Sequence, residues 1–557
     1  MSTSETMMYE WNSIDWRKLE RCMFKLQKRI YRASCQGDTK TIHRLQRLLI
    51  KSRAAALLAV RQVAQDNSGK RTAGIDGLAS LNDAQKLDLA LKIMSSPLSP
   101  KAKPVRRVWI PKPGKDERRP LGIPVMEDRA RQTLVKMALE PEWEAKFESH
   151  SYGFRPGRSC HDAVAAIFAN IKSVPKYILD ADIAKCFVHI NHEALLKKLG
   201  TFPELRRTIR SWLKAGMMDG GELFPTSEGA PQGGVISPLL MNVALHGFAS
   251  AIEDAFSKFK CPQGQRRIPW KPVVIRYADD FVVIHRDLEA IKRAQQIAAN
   301  WLAGMGLEMK PSKTRITHTL EVVEGPVGFD FLGFHFRQFP RGKNRCVRDT
   351  HGRPVGFSPN VKPSPESQKR LLRKIRNTVR SNRNVPQERL IQLLNPVIRG
   401  WGNYFSTSVS KDIFSKMDMH IFQKLWSWAS FRHPRKSRRW IAGKYWIHGD
   451  RGWTYGIDGK TSLLKMSSIP TRRHVKVQGH RSPFDGDAIY WSTRMGRHPE
   501  LRQSVATLLK WQGGHCPCCG LFFKPGDRLV YATLCEDRAD QRPGRPAVVH
   551  DYCRDVA

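Results

Sequence analysis

Two adjacent acids, Asp279 and Asp280, stand between two β-branched runs, Val273-Val274-Ile275 and Phe281-Val282-Val283-Ile284. That pattern predicts a hairpin with both carboxylates at its tip. Two like charges ~4 Å apart repel by about 4 kcal/mol at an effective dielectric of ~20, and a divalent cation removes the conflict. Mg²⁺ suits such a place because it takes oxygen ligands and shares them with substrate phosphates. Taken alone, the pair fits a plain Asp-Asp turn equally well. A second predicted strand, Tyr177-Ile178-Leu179-Asp180-Ala181-Asp182-Ile183, puts Asp180 and Asp182 on one face. A third carboxylate from a neighbouring strand would complete a two-metal site. Such a site performs in-line phosphoryl transfer, one ion activating a hydroxyl and the other holding a triphosphate.

A second group of ligand-type residues lies near the C-terminus. Cys516 and Cys519 form a CxxC pair, and His550 and Cys553 an HxxC pair some thirty residues on. Two such pairs have the spacing of a structural Zn²⁺ site, with Cys518 and Cys535 competing as ligands. The other six cysteines are scattered, which fits free thiols better than a disulfide framework.

The elements that position these groups follow from periodicity. Residues 15 to 66 read as helices, with apolar positions at helical spacing among Lys and Arg. Asp66 to Gly77 reads as a loop. Residues 105 to 340 mix helical patterns, such as Asp128 to Phe147, with short β-rich runs, an α+β organisation. The Pro- and Gly-rich stretch Pro340 to Pro365 reads as a linker. A helix then starts with Ser364 as N-cap, Pro365 in the first helical position and Glu366 at the positive end of the dipole. Lys369, Arg370, Arg373, Lys374, Arg376 and Arg380 surround its apolar stripe with almost no acids to balance them.

The 557 residues exceed one ordinary core and suggest several domains. Lys plus Arg number 94 against 51 Asp plus Glu, a net charge of +43 at pH 7, which points to a nucleic-acid partner. No stretch is apolar and long enough for a membrane span, and the N-terminus lacks the order of a signal peptide.

Tyr277-Ala278-Asp279-Asp280 resembles the signature box of reverse transcriptases, and the chain resembles the bacterial group II intron-encoded proteins, reverse transcriptases that are also maturases. The pieces carrying the resemblance occur in the family's order: Ile110-Pro111-Lys112, Arg119 to Pro124, Ser151 to Arg158, Leu179 to Ile183, Gly229 to Pro238, Lys313-Thr314, Phe329 to Gly333 and Leu394 to Trp401. The resemblance covers roughly residues 10 to 510. It implies an α+β right-hand polymerase with fingers, palm and helical thumb, a basic DNA-binding segment and a small zinc-binding tail. The implied divisions are 1–104 for an N-terminal extension and the start of the fingers, 105–340 for fingers and palm, and 341–447 for thumb and maturase domain. Residues 448–510 match the DNA-binding segment and 511–557 the tail.

By the same resemblance Asp182, Asp279 and Asp280 hold two Mg²⁺ ions, with Asp180 in support. Lys112 and Arg119 match cations that meet the nucleoside triphosphate. Phe187 matches an aromatic gate against the ribose 2′-hydroxyl, and Gln232 a residue near template and primer. The family usually has an Asp after that Phe, where this chain has Val188. Related proteins carry an HNH endonuclease where this chain has its cysteine-rich tail. That nuclease needs a His base between the knuckles, and no His occurs between His515 and His550. The expected tail is therefore a degenerate nuclease that keeps its zinc. The implied partners are group II intron RNA, target DNA and deoxynucleoside triphosphates, in a ribonucleoprotein within the bacterial cytoplasm, associated with the nucleoid. Two other readings stand beside this one: a free-standing reverse transcriptase kept by a host for repair or defence, and an RNA-binding splicing factor with an idle polymerase fold.

Overall fold

The computed structural model describes residues 10–99, 101–111, 117–260, 268–323, 325–349, 351–449, 452–457, 459–534 and 545–556. The expected N-terminal helices are present. Helix α1 (Trp16–Cys35) starts at Asp15, whose carboxylate accepts from the Lys18 amide, and is followed by helices Thr39–Ile50 and Arg53–Arg61. Strands β1 (Val105–Pro111) and β2 (Arg118–Ile123) then form an antiparallel hairpin. Two long helical patterns give α2 (Met126–Lys146) and α3 (Cys160–Ile171).

The central sheet begins with β3 (Tyr177–Asp182). The short strands β4 (Met217–Asp219) and β5 (Glu222–Phe224) return to the first hairpin and extend it in the order β2-β1-β4-β5. After α4 (Ser237–Leu245), strands β6 (Val273–Tyr277), β7 (Asp280–His285) and β8 (Arg315–His318) complete a four-stranded sheet in the order β8-β3-β7-β6. Both faces of this sheet are covered, and its central strand β7 and neighbour β6 are mostly apolar. Leu179, Ala181, Phe281 and Val283 enter a core shared with α1, α2 and α4. Ile178, Val282 and Ile284, one residue out of phase, enter a second core.

That second core continues into the rest of the chain. Strands β9 (Phe329–Phe331), β10 (Phe334–Pro340) and β11 (Phe357–Pro363) form a separate sheet with β10 in the middle. Helices α5 (Pro365–Ser381), α6 (Gln387–Phe405) and α7 (Lys411–Arg432) add Ile375, Leu394, Ile421 and Leu425 to the same core. The stretch Pro340 to Pro365, expected to be a linker, is a correction, because residues 357–363 are the strand β11. Pro359 and Pro363 hid it. A proline cannot donate to a ladder, but it is tolerated on an edge strand, and β11 is an edge. The expected start of α5 is found, with the Ser364 side chain accepting from the Ser367 amide.

The chain then folds back. Helix α8 (Ala488–Met495) brings Trp491, fully buried, against Gly157. Next to it Asp162 of α3 receives the Arg494 guanidinium at 2.5 and 2.6 Å, His474 Nε2 at 3.0 Å and the Val477 amide at 2.8 Å. Arg158 Nη2 donates to the carbonyls of Gly479 and Arg481, and Arg17 Nη2 to that of Leu501. Helix α9 (Gln503–Trp511) and the antiparallel pair β12 (Leu529–Leu534) and β13 (Arg545–His550) close a small third core around Leu509, Phe523, Val548 and Val549. Among the described residues, no helix is long and apolar enough to cross a membrane.

Candidate functional site

Strand register assembles the carboxylates. Asp180 and Asp182 share the face of β3 that carries Ile178, and Asp280 shares the matching face of β7 with Val282. Asp182 stands directly opposite Asp280, which sets their Cβ atoms about 5 Å apart. Asp279 lies in the turn one residue earlier, and its carbonyl accepts from the Ile183 amide at 3.2 Å. Asp182 thus meets Asp279 and Asp280, more than ninety residues later in sequence, at one end of the central sheet.

The turn that presents them is strained. Ala278 has φ +58°, a left-handed conformation that a residue with a Cβ rarely adopts. Arg276 holds it there. Its buried guanidinium donates to the Ala278 carbonyl at 3.1 Å, to Asn242 Oδ1 at 3.1 Å and to Ser151 Oγ at 2.8 Å. Asn242 in turn donates to the Gly153 carbonyl at 2.9 Å. Gly153 must be glycine, since a Cβ there would sit 2.3 Å from the Ala278 nitrogen. The box Ser151 to Arg158 therefore acts as a brace behind the acidic turn.

The electrostatics match a site short of positive charge. Burial and the neighbouring charges of Asp279 and Asp182 push Asp280 up to about 7. Burial also raises Asp279, with Lys313 and Arg119 opposing it through their charges, and raises Asp180 against the opposing charge of Arg315. Arg315 Nη2 lies 2.8 Å from Asp180, and Lys313 Nζ lies 2.5 Å from Asp182 Oδ2. Burial works against the Lys313 ammonium, but the hydrogen bond and charge of Asp182, then Asp280 and Asp279, raise its pKa. A cleft of about 330 Å³ opens here, lined by Asp182, Asp280, Lys313, Arg315 and Phe331 among others.

Three of the four residues expected to meet substrate lie among the described residues. Arg119 is exposed on β2 and its charge reaches Asp279. Phe187, in the short helix Cys186–His189, packs edge-on against Phe154 at 6.5 Å. Its carbonyl accepts from the Ala230 amide at 2.7 Å, which ties it to the glycine-rich loop. In that loop the Gln232 carbonyl accepts from the Gly122 amide at 2.7 Å, joining the loop to β2. Lys112 lies outside the described residues. Two positions without an assigned role in the sequence reading now have one in the geometry, Arg276 and Lys313. The signal for Arg276 was a lone charge inside an apolar strand. Lys313 was marked only by the Lys313-Thr314 box, and its partner, 131 residues away, could not be read from the sequence.

The tail brings its four expected ligands together. The candidate donor atoms of Cys516, Cys519, His550 and Cys553 all lie within 4.8 Å of one another. Cys518 is outside this group, and Cys535, Glu536 and Asp537 lie outside the described residues. Burial opposes ionisation of Cys516, but amide donors from Cys519, His550 and Cys518 bring its thiol down to about 6. His550 Nε2 faces Asp527 Oδ2 at 3.3 Å, the kind of carboxylate contact that orients a ligating imidazole.

Comparison with known proteins places these features in families. Residues 110–336 match the family model "Reverse transcriptase (RNA-dependent DNA polymerase)", and residues 11–93 match "N-terminal domain of reverse transcriptase". Residues 368–446 match "Group II intron, maturase-specific domain". Protein YkfC of Escherichia coli K12 is 31% identical over 339 residues, covering 56% of this chain and 87% of that protein. Maturase-like protein 1 of Euglena gracilis is 27% identical over 428 residues, 76% of this chain and 82% of the relative. Group II intron-encoded protein LtrA of Lactococcus lactis is 29% identical over 294 residues, 52% of this chain and about half (47%) of that protein.

Proposed function

The chain belongs to the group II intron-encoded reverse transcriptases and maturases, an RNA-directed DNA polymerase that binds intron RNA, and from that premise we propose that Asp182, Asp279 and Asp280 are its catalytic metal ligands. What supports this reading is the register that sets Asp182 opposite Asp280 beside Asp279. The donor set is all carboxylate oxygen, which suits Mg²⁺. It is also too negative to stay fully ionised alone, as the raised Asp280 indicates, so the residues fit a divalent pair. Asp182, Asp279 and Asp280 would hold two Mg²⁺ ions, and these would supply charge neutralisation for attack of a primer 3′-hydroxyl on a deoxynucleoside triphosphate.

The protein groups do the rest of the positioning. Arg276 and Gly153 hold the turn that carries Asp279 and leads into Asp280, which lines the cleft. Lys313 offsets charge on Asp182. We assign Arg119 and Lys112 to the triphosphate, Phe187 to exclusion of a ribose 2′-hydroxyl, and Gln232 to the template and primer. The divisions 1–104, 105–340, 341–447, 448–510 and 511–557 are assigned as N-terminal extension, fingers and palm, thumb and maturase domain, DNA-binding segment and tail. Mobility of the intron into target DNA, in a bacterial cytoplasm beside the nucleoid, completes the reading.

The tail is assigned to one structural Zn²⁺ held by Cys516, Cys519, His550 and Cys553, without DNA-nicking activity. Four protein donors close a tetrahedral site and leave no open position for chemistry. No histidine stands between the two knuckles to serve as general base. The enzyme would then extend a primer already present at its target. The test is direct: the purified chain should extend a DNA primer on an RNA template with Mg²⁺ and stop in EDTA, contain one zinc per chain, and leave a target duplex uncut. A chain without extension refutes the polymerase assignment, zinc-free protein refutes the ligand set, and strand cleavage refutes the degenerate-nuclease reading.

A further inference from the structure

Helices α5 and α7 enclose a cleft of about 290 Å³ far from the carboxylates. Its lining includes Arg376, Arg380 and Arg383 from the end of α5 and the turn after it, with Lys424, Trp428 and Phe431 from α7. Among the described residues, none of these four cations forms an ion pair, and that sets them apart from the paired cations of the palm. Counterion release rewards placing phosphate among such unpaired cations. The aromatic wall has a different use. Phe431 is 59% exposed, and Arg383 lies over it with its guanidinium carbon 4.8 Å from the ring centroid. Aromatic rings and guanidinium planes together are what proteins use to stack bases that have left a helix.

The cleft is built rather than incidental. Trp428 Nε1 donates to the Asn382 carbonyl at 3.0 Å. Arg432 Nη1 donates to the Arg383 and Val385 carbonyls at 3.0 and 2.7 Å, which pins the turn carrying Arg383 to the end of α7. Buried Val379 and Trp428 form its floor. Its volume is at the small end for ligand pockets, room for one nucleotide and not for a duplex. It is also remote from the polymerase centre. Ser367, near the start of α5, donates to the Gly333 carbonyl at 3.1 Å beside that centre, and the helix rise carries Arg380 about 20 Å further along.

We infer that this cleft binds a single unstacked ribonucleotide of a structured RNA, its base against Phe431 and its phosphate among Arg376, Arg380, Arg383 and Lys424. The inference rests on the RNA-binding reading above and adds what form of RNA is bound and where. A nucleotide bulged from a hairpin fits, whereas a fully paired stem offers phosphates but no free base. The pocket would let the chain distinguish one folded RNA from another without reading paired sequence.

The test uses the full chain and two synthetic RNA hairpins that differ only in one bulged 4-thiouridine. The wild type should bind the bulged hairpin about tenfold more tightly, the range for one stacked base, and photocrosslinking should mark the peptide containing Phe431. Phe431→Ala should bind both hairpins alike. Because that side chain is exposed, the variant should keep the wild-type circular dichroism. Arg380→Gln should weaken both hairpins and lower the salt dependence by about one ion. Equal binding of the two hairpins by the wild type overturns the pocket alone. So does a preference that survives in Phe431→Ala, or a crosslink elsewhere. Failure to bind either hairpin contradicts the RNA-binding reading itself and the pocket with it.

Discussion

Changing Asp162 to Asn should loosen the C-terminal segment from the palm. Asp162 is fully buried and is the shared acceptor for Arg494, His474 and the Val477 amide, contacts that span more than 300 residues of sequence. The Asn amide keeps the shape and one acceptor but leaves the Arg494 guanidinium, whose side chain is 15% exposed, without its counter-charge. Removing one partner of a buried ion pair costs about 3–5 kcal/mol. Exchange of the Val477 amide through local opening should therefore accelerate roughly 10²-fold to a few thousand-fold. The pH dependence carries a sign. Burial opposes the carboxylate, but His474, Arg494 and the Val477 amide hold Asp162 well below the usual carboxylate range. Its contribution is thus fully present above about pH 4, the unfolded value, and is lost as pH falls through the lower folded value. The gap between wild type and variant should be widest at neutral pH and close in acid. Hydrogen exchange followed by mass spectrometry across residues 471–495 reads both effects. A change under about tenfold at neutral pH, or a gap that widens in acid, refutes the argument.

Two further predictions concern the acidic turn. Arg276→Lys keeps the charge but cannot reach all three acceptors, and each buried acceptor left bare costs about 1–3 kcal/mol. Single-turnover extension should slow at least about tenfold with RNA affinity unchanged, and an unaltered rate would remove Arg276 as the brace. Lys313→Met takes away the cation nearest Asp182. Its thermal midpoint should fall most in EDTA and recover with Mg²⁺, because ions that bind only the folded state stabilise it. A deficit equal with and without Mg²⁺ would mean that Lys313 has no part in balancing these carboxylates.

The acidic centre was readable because two periodicities agree. β-branched runs mark the strands, and alternation puts Asp180 and Asp182 on one face, which the register then sets against Asp280. The start of α5 was readable from local chemistry, since Ser364, Pro365 and Glu366 each act within one turn. What depends on distant partners was not. Arg276 needs Ser151 and Asn242 brought from two other elements, and Asp162 needs a segment that arrives more than 300 residues later. The choice between Cys518 and Cys519 needed the position of His550 Nδ1, 3.3 Å from Cys519 Sγ. Strand β11 was misread because its prolines mark loops everywhere except on an edge.

We propose that Asp182, Asp279 and Asp280 form one metal-dependent polymerase centre, separate from the surfaces that hold intron RNA. Asp279→Asn keeps the size and the turn and removes one negative ligand. Primer extension on an RNA template and splicing of the bound intron should be measured side by side on this variant and the wild type. Extension should fall by at least about 10³-fold, with RNA affinity and splicing near wild type. Substantial extension by the variant would contradict the ligand assignment, and loss of splicing in a folded variant would contradict the separation of the two functions.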